Sequence, residues 1–172
     1  YQLEDIHTLS YGLNFRLMNH QVSNLELFRF LPGDKALFLY SGFVQDEIML
    51  VEDILRLTLG AKVEHNSYTG LEFQPNGRLT WMPKSSQTLW AAVSRAVRTP
   101  ARVDGDFFVN LTPELLIISG NANFESEKLI AYELGWRAQL GKNSSVSTST
   151  FLNVYDDLRS AEPGPSPLFI PI

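Results

Sequence analysis

The sequence predicts an all-β protein: an antiparallel up-and-down meander of about six or seven strands that forms part of a transmembrane β-barrel. Apolar and polar side chains alternate in several segments, as in strands with one apolar and one polar face. Short polar turns also alternate with longer connections, an asymmetry typical of membrane barrels. No apolar run reaches roughly 18 residues, which excludes a transmembrane helix, but a barrel strand needs only about 9–11 residues.

The first two strands are predicted at residues 9–18 and 36–50. In the first, one parity holds the apolar residues Leu9, Tyr11, Leu13, Phe15 and Leu17. The second is rich in aromatic and β-branched residues, which favour strands: Phe38, Tyr40, Phe43, Val44 and Ile48. We expect a long connection between them, at residues 19–35.

The clearest alternation lies at residues 55–64. The apolar parity holds Leu55, Leu57, Leu59, Ala61 and Val63, and the other parity holds Arg56, Thr58, Gly60, Lys62 and Glu64. One face of this strand is therefore apolar and the other polar. Because one alternation of this length arises by chance in roughly one chain in four, it supports a strand and does not prove a barrel.

The alternation continues in residues 71–81. One parity holds Leu71, Phe73, Leu79 and Trp81, and the other holds Glu72, Gln74, Asn76, Arg78 and Thr80. Pro75 and Gly77 fall on the apolar parity, where proline cannot donate to a ladder and glycine has no side chain to pack. We therefore expect this strand to be bent or bulged in its middle.

Residues 86–98 and 127–140 leave helix and strand open. The first segment has its apolar residues at helical spacing, at Leu89, Ala92, Val93, Ala96 and Val97. The second contains leucine, alanine and glutamate, which also favour a helix. Their positions between strands and behind short turns favour strands for both. Residues 145–155 are rich in serine, threonine and valine, which predicts a strand.

Short polar turns are predicted at residues 51–53, 83–87 and 141–144, and the other connections are residues 19–35, 66–70, 99–127 and the tail from 158. Trp81, Trp90 and Trp136 lie near the short turns. Because an indole is apolar in its body and polar at its N–H, this placement predicts an aromatic girdle at the periplasmic interface. The alternative is that the three tryptophans fill a soluble core.

Composition and spacing exclude several kinds of function. The net charge of −5 is spread without a basic stripe, so we expect no nucleic-acid partner. There are no cysteines, and His7, His20 and His65 form no metal-spaced pair, so we expect no metal site. The paired acids at residues 46–47 and 156–157 point to opposite faces of a strand and make poor acid/base dyads. We expect no enzymatic activity and no cofactor.

Four segments carry the motifs of a known family. They read FVQDEIMLVEDILRLTLGAKVEHNSYTG at residues 43–70, QPNGRLTWMPKSSQTLWAAVSRAVRTPAR at 74–102, GNANFESEKLIAYELGWRAQL at 120–140 and FLNVYDDL at 151–158. In order and spacing they resemble strands from the barrel of TonB-dependent outer-membrane receptors of the siderophore-receptor type. The resemblance also favours strands for the two ambiguous segments.

The resemblance implies a location in the bacterial outer membrane and the transport of a metal chelate, such as a ferric siderophore. Members of the family have a plug domain, a TonB box and a barrel of about 22 strands. Residues 1–172 contain neither a plug nor a TonB box nor a terminal aromatic strand, so the resemblance implies a partial barrel. Its partners would be outer-membrane lipid, the plug domain, the remaining strands, TonB acting through the plug, and the chelate.

The charged strand residues suit the polar interior of such a barrel. We expect a lumen position, with a structural role favoured over ligand contact, for Arg56, Lys62, Glu64, Glu72, Arg78, Glu133 and Arg137. The loop at residues 99–127 is the expected specificity element. Its candidate ligand contacts, which include the last residue of the preceding strand, are Arg98, Arg102, Asp104, Asp106, Phe107 and Phe108. The alternative is that this loop packs within the cluster of extracellular loops.

Two other functions stay open at this point. A passive porin or an adhesin would have the same strand pattern without a plug or TonB dependence. A soluble β-rich ligand-binding module would instead pack its apolar parity inward.

Overall fold

The computed structural model describes residues 2–3, 6–112, 115–163 and 169–171. In these ranges the strands are β1 (Gln2–Leu3), β2 (His7–His20), β3 (Phe28–Phe30), β4 (Lys35–Val51), β5 (Leu55–Asn66), β6 (Gly70–Lys84), β7 (Gln87–Arg98), β8 (Phe107–Thr112), β9 (Leu115–Ser119), β10 (Glu127–Leu140), β11 (Ser144–Asp156), β12 (Ala161–Pro163) and β13 (Phe169–Pro171). One helical turn, α1, spans Arg102–Gly105. Among the described residues, no helix is long and apolar enough to cross a membrane.

The main sheet is an antiparallel meander with the strand order β1-β2-β4-β5-β6-β7-β10-β11. Seven of its strands are long, from 12 residues in β5 and β7 to 17 in β4. A barrel strand needs about 9–11 residues to cross a bilayer, so each of the seven is long enough. The predicted all-β meander is confirmed.

Between β5 and β6 the cross-strand register puts like side chains together in the middle of each face. Leu57 of β5 lies opposite Leu79 of β6, and Thr58 lies opposite Arg78. We call the side of Leu57 the apolar face and the side of Thr58 the polar face. Leu13, on the apolar face of β2, is 93% exposed. Because many large apolar side chains of the described chain are exposed in this way, the apolar face suits contact with lipid.

The two segments with helical spacing are the strands β7 and β10. They pair with each other from Arg98 opposite Glu127 to Gln87 opposite Ala138. Each also pairs with a second neighbour, β6 for β7 and β11 for β10. Hydrogen bonding on both sides outweighs a weak local preference for helix. The strand predicted at residues 145–155 is β11.

The bulge predicted for the middle of residues 71–81 is not seen there, although pairing with β7 ends at that point. The β5–β6 ladder runs through Pro75 and Gly77 without a break. The register between β6 and β7 shifts instead between Trp81 and Lys84, next to the turn. At its other end the β6–β7 ladder stops at Asn76, because Pro75 has no N–H to donate to β7.

The two ends of the sheet differ, as predicted. Short turns lie at residues 52–54, 85–86 and 141–143. At the opposite end, the loop end, β3, β8 and β9 form a separate three-stranded sheet, which sequence analysis did not predict. We call this small sheet and α1 the loop cap. Residues 66–70 form a tight turn, in which the Asn66 side chain accepts hydrogen bonds from the Tyr68 and Thr69 N–H groups.

Candidate binding site at the loop end of the sheet

The buried polar residues of the described chain gather where the loop cap meets the strand ends. They are Glu64, Asn66, Glu72, Arg102, Asp104, Asp106, Asn110 and Ser126. Buried polar groups are stable only when they are hydrogen-bonded or paired. The contacts among these side chains therefore decide how the loop cap is held.

Asp104 is held from three directions. Its side chain has no exposed surface, and Arg98 Nη2 and Arg159 Nη1 lie 3.2 and 3.0 Å from its two oxygens. The Ala101 N–H donates to Asp104 Oδ2 at 2.8 Å. An acidic side chain in the first turn of a helix commonly accepts this hydrogen bond from the residue before the helix. Arg98 ends β7 and Arg159 follows β11, so this carboxylate ties α1 to two strands of the sheet.

Asp106 forms a second cluster of ion pairs and hydrogen bonds between the loop cap and the sheet. Lys35 Nζ lies 2.8 Å from both carboxylate oxygens, while Arg102 Nε and Tyr68 Oη donate to Oδ2 at 3.2 and 2.9 Å. Lys35 begins β4 and Tyr68 lies in the β5–β6 turn, so Asp106 joins the loop cap to two hairpins. Burial, together with the hydrogen bond to Asp106, raises the pKa of Tyr68 above its ordinary value, so the phenol stays a donor at neutral pH.

Arg102 and the two predicted phenylalanines lie within the loop cap. The Arg102 guanidinium donates to the carbonyls of residues 32–33 and lies 5.0 Å over the Phe30 ring. Phe107 packs against Phe30, with 5.0 Å between ring centroids. Phe107 and Phe108 are both partly exposed. They are the two predicted contacts that keep apolar surface available for a ligand.

The structure places four of the predicted ligand contacts in two separate ion-pair clusters, Arg98 with Asp104 and Arg102 with Asp106. Their charges are matched inside the protein, which supports the alternative that this loop packs within the loop cluster. Contact of these residues with a ligand stays a prediction. Lys35, Tyr68 and Arg159 were not predicted from the sequence. Lys35 and Tyr68 lie 71 and 38 residues from Asp106 in the chain, so no local pattern links them to it.

The charged residues predicted for a lumen all lie on the polar face. The register assigns this face to Arg56, Lys62, Glu64, Glu72, Arg78, Glu133 and Arg137. Arg56 lies 3.0 Å from Glu47, which sequence analysis missed, and Arg78 lies 4.0 Å from Glu133. Both pairs line a polar recess of about 520 Å³. The polar face thus offers charges of both signs to whatever lies beside it.

The tryptophans divide between the two faces. Trp81 and Trp136 both lie opposite Leu89, on the apolar face near the short turns. Trp90 lies opposite Gly135 on the polar face, and its ring covers that glycine. The prediction of one girdle of three tryptophans is therefore wrong for Trp90. The reason is the strand geometry, since Trp90 directly follows Leu89 and successive side chains point to opposite faces.

The groups at this site suit the binding of a small molecule. In the ranges that the structure describes, no group of three or more histidine or acidic side chains is arranged to hold a metal ion. The loop cap presents partly exposed aromatic rings, and the polar face presents ion pairs and amides. Aromatic and charged groups on a rigid frame are the usual means of fixing a small ligand.

Comparisons with known proteins give a family and a fold. Residues 2–171 match the family described as TonB dependent receptor-like, beta-barrel. A similar curated protein is the iron-regulated outer membrane virulence protein of Vibrio cholerae serotype O1, which is 27% identical over 124 residues. That alignment covers 69% of this chain but 18% of the relative, so the chain spans less than a fifth of its length.

Solved structures with the same fold are siderophore receptors. A mutant ferric enterobactin receptor of Pseudomonas aeruginosa, in complex with enterobactin, superposes with a TM-score of 0.75 and 18% identity over 96% of this chain and 28% of the receptor. The siderophore receptor PirA of Acinetobacter baumannii gives a TM-score of 0.74 and 19% identity over 90% of this chain and 25% of the receptor. At such identities the likeness shows the fold alone.

Proposed function

The chain belongs to the family of TonB-dependent receptor β-barrels, and from this premise we propose that it is part of the wall of a transporter for a metal chelate, such as a ferric siderophore. The family consists of receptors and not of enzymes, and the chain is an outer-membrane protein. The resemblance seen in the sequence motifs is therefore confirmed. A soluble module does not agree with this family or with the exposed apolar face.

The observation that carries the proposal is the division of the sheet into two faces. Large apolar side chains are exposed on one face, and ion pairs such as Arg56–Glu47 lie on the other. A sheet with lipid on one side and a polar lumen on the other has this division. The loop cap, pinned at the loop end, would then stand at the mouth of the lumen.

We propose that residues 1–172 are one sector of a larger barrel. Among the described strands, β11 has a neighbour on one side only, and an unpaired strand edge is not stable in a membrane. The remaining strands would pair with the edges of this sector, and the polar face would contact a plug domain. TonB would act through that plug. The ligand-binding role of the loop cap is supported by the accessible rings of Phe107 and Phe108.

Transport of radioactive iron tests this function in cells that make the full-length protein containing this wall and no other iron receptor. We expect uptake from at least one ferric siderophore, and we expect deletion of the tonB gene to abolish it. Uptake that continues without TonB would indicate a passive porin. Absence of uptake from every ferric chelate tested would contradict the proposed transport of iron.

A further inference from the structure

One buried carboxylate of the polar face has no hydrogen-bond or ion-pair partner among the residues that the structure describes. Glu72 of β6 lies directly opposite Glu64 of β5, and their surfaces are only 8% and 6% exposed. Lys62 Nζ lies 2.6 Å from Glu64. No described residue donates a hydrogen bond to Glu72 or forms an ion pair with it. Like charges directly opposite each other repel, and a buried charge without a partner is costly.

Two arginines near the end of β7 already have partners of their own. Arg98 lies 3.2 Å from Asp104 and 3.1 Å from Glu127. Arg95 donates to the Phe73 carbonyl, next to Glu72 in the chain. The local group of Glu64, Glu72 and Lys62 therefore has two negative charges and one positive charge, an excess of one negative charge. One singly charged cation with N–H donors would balance it.

Glu72 lies near the loop end of the polar face. It is the third residue of β6, two positions after Gly70, and shares the polar face with Glu64. The connection between β9 and β10 is joined to the adjacent turn, where Ser126 Oγ donates to Thr69 Oγ1 at 3.0 Å. Some described side chains have polar atoms with neither a hydrogen-bond partner nor access to solvent, and Glu72 is not among them. The Glu72 carboxylate therefore keeps some access to solvent.

We infer that Glu72, together with Glu64, receives a positively charged ammonium or guanidinium group carried by the chelate. This inference rests on the proposed transport function and adds a ligand class to it. An organic cation suits the site better than a metal ion, because a hard divalent cation takes about six to eight oxygen ligands and the described chain offers no cluster of three acids.

The test uses the full-length protein, produced in cells without other iron receptors, and a panel of ferric siderophores with and without a cationic group. The panel includes a trihydroxamate with a terminal ammonium and the same molecule with that amine acetylated. We expect the ammonium form to be taken up about tenfold better than the acetylated form, as close charge pairs in binding sites allow. Glu72→Gln should remove this preference, and Glu72→Lys should reverse it. Glu52→Gln, in an exposed turn at the other end of the sheet, should keep it.

Thermal unfolding without ligand gives an independent readout. Because Glu72 has no partner in the described structure, Glu72→Gln should melt at the same temperature as the wild type or higher. A lower melting temperature with unchanged ligand selection would mean that another part of the polypeptide supplies the cation, and it would overturn the inference. Uptake restricted to chelates without a positive group would also overturn it and would leave the transport function intact. No uptake of any chelate would refute both.

Discussion

Replacing Asp104 by asparagine should loosen the loop cap without unfolding the sheet. The substitution keeps the shape of the side chain and an oxygen for the Ala101 N–H, but it removes the charge that Arg98 and Arg159 share. Hydrogen bonds to charged groups contribute about 1.5–3 kcal/mol, and breaking a buried ion pair costs roughly 3–5 kcal/mol. The two arginines are 46% and 41% exposed, so water can solvate them after the change and the lower range applies.

We therefore expect the free energy of opening of the loop cap to fall by about 2 kcal/mol, which corresponds to a roughly 30-fold increase in the open population. Hydrogen–deuterium exchange of the full-length protein in detergent measures this directly, with peptides from α1 and β8 compared with peptides from β5 and β6. Asp53→Asn is the matched control, because Asp53 lies in an exposed turn at φ 54°, a conformation that asparagine also adopts. Unchanged exchange in the loop cap, or equal acceleration in β5, would refute the assignment of Asp104 as its anchor.

Three further predictions concern the faces and the loop cap. Leu57→Arg should lower the free energy of unfolding in lipid vesicles by about 2–4 kcal/mol, whereas Thr58→Arg should have little effect, and equal losses at both positions would contradict the two faces. Because the pKa of Tyr68 is raised in the folded protein, its hydrogen bond should hold at neutral pH and be lost only as the pH rises above the ordinary tyrosine value of about 10. Spectrophotometric titration should show one late-titrating tyrosine that Tyr68→Phe removes. Gly135→Val should cost about 1–3 kcal/mol by collision with the Trp90 ring, and in chemical unfolding Trp90→Ala should relieve most of that cost.

The long strands were predictable because alternation is a local property of the chain. At residues 55–64 the parity read from the sequence is the parity of β5 in the sheet. Residues 86–98 were not decidable in this way, because their apolar spacing fits a helix and only pairing with β6 and β10 makes them a strand. The face of Trp90 follows from that of its neighbour Leu89 only once the segment is known to be a strand.

The loop cap could not be predicted from local patterns in the sequence. Its strand β3 has three residues, too few to show a period, and Phe28 pairs with Val109, far along the chain. Asp104 and Asp106 were predicted as candidate ligand contacts because they are acidic residues in a long connection. Their roles were not predictable, because the cations that bind them come from strand ends that meet only in the folded chain.

The length of β4 has a consequence for how the loop cap is stabilised. Its 17 residues, at about 3.3 Å each and tilted by about 45°, give a height of about 40 Å, against an apolar band of about 25 Å in such barrels. The β2–β4 part of the wall, which runs to His20 and Lys35, should therefore extend beyond the lipid, and the loop cap that Lys35 binds should lie there in water. Bilayer thickness should then matter little to the cap. Added salt should screen the charges of its exposed arginines. It should have little effect on the charges of the enclosed carboxylates.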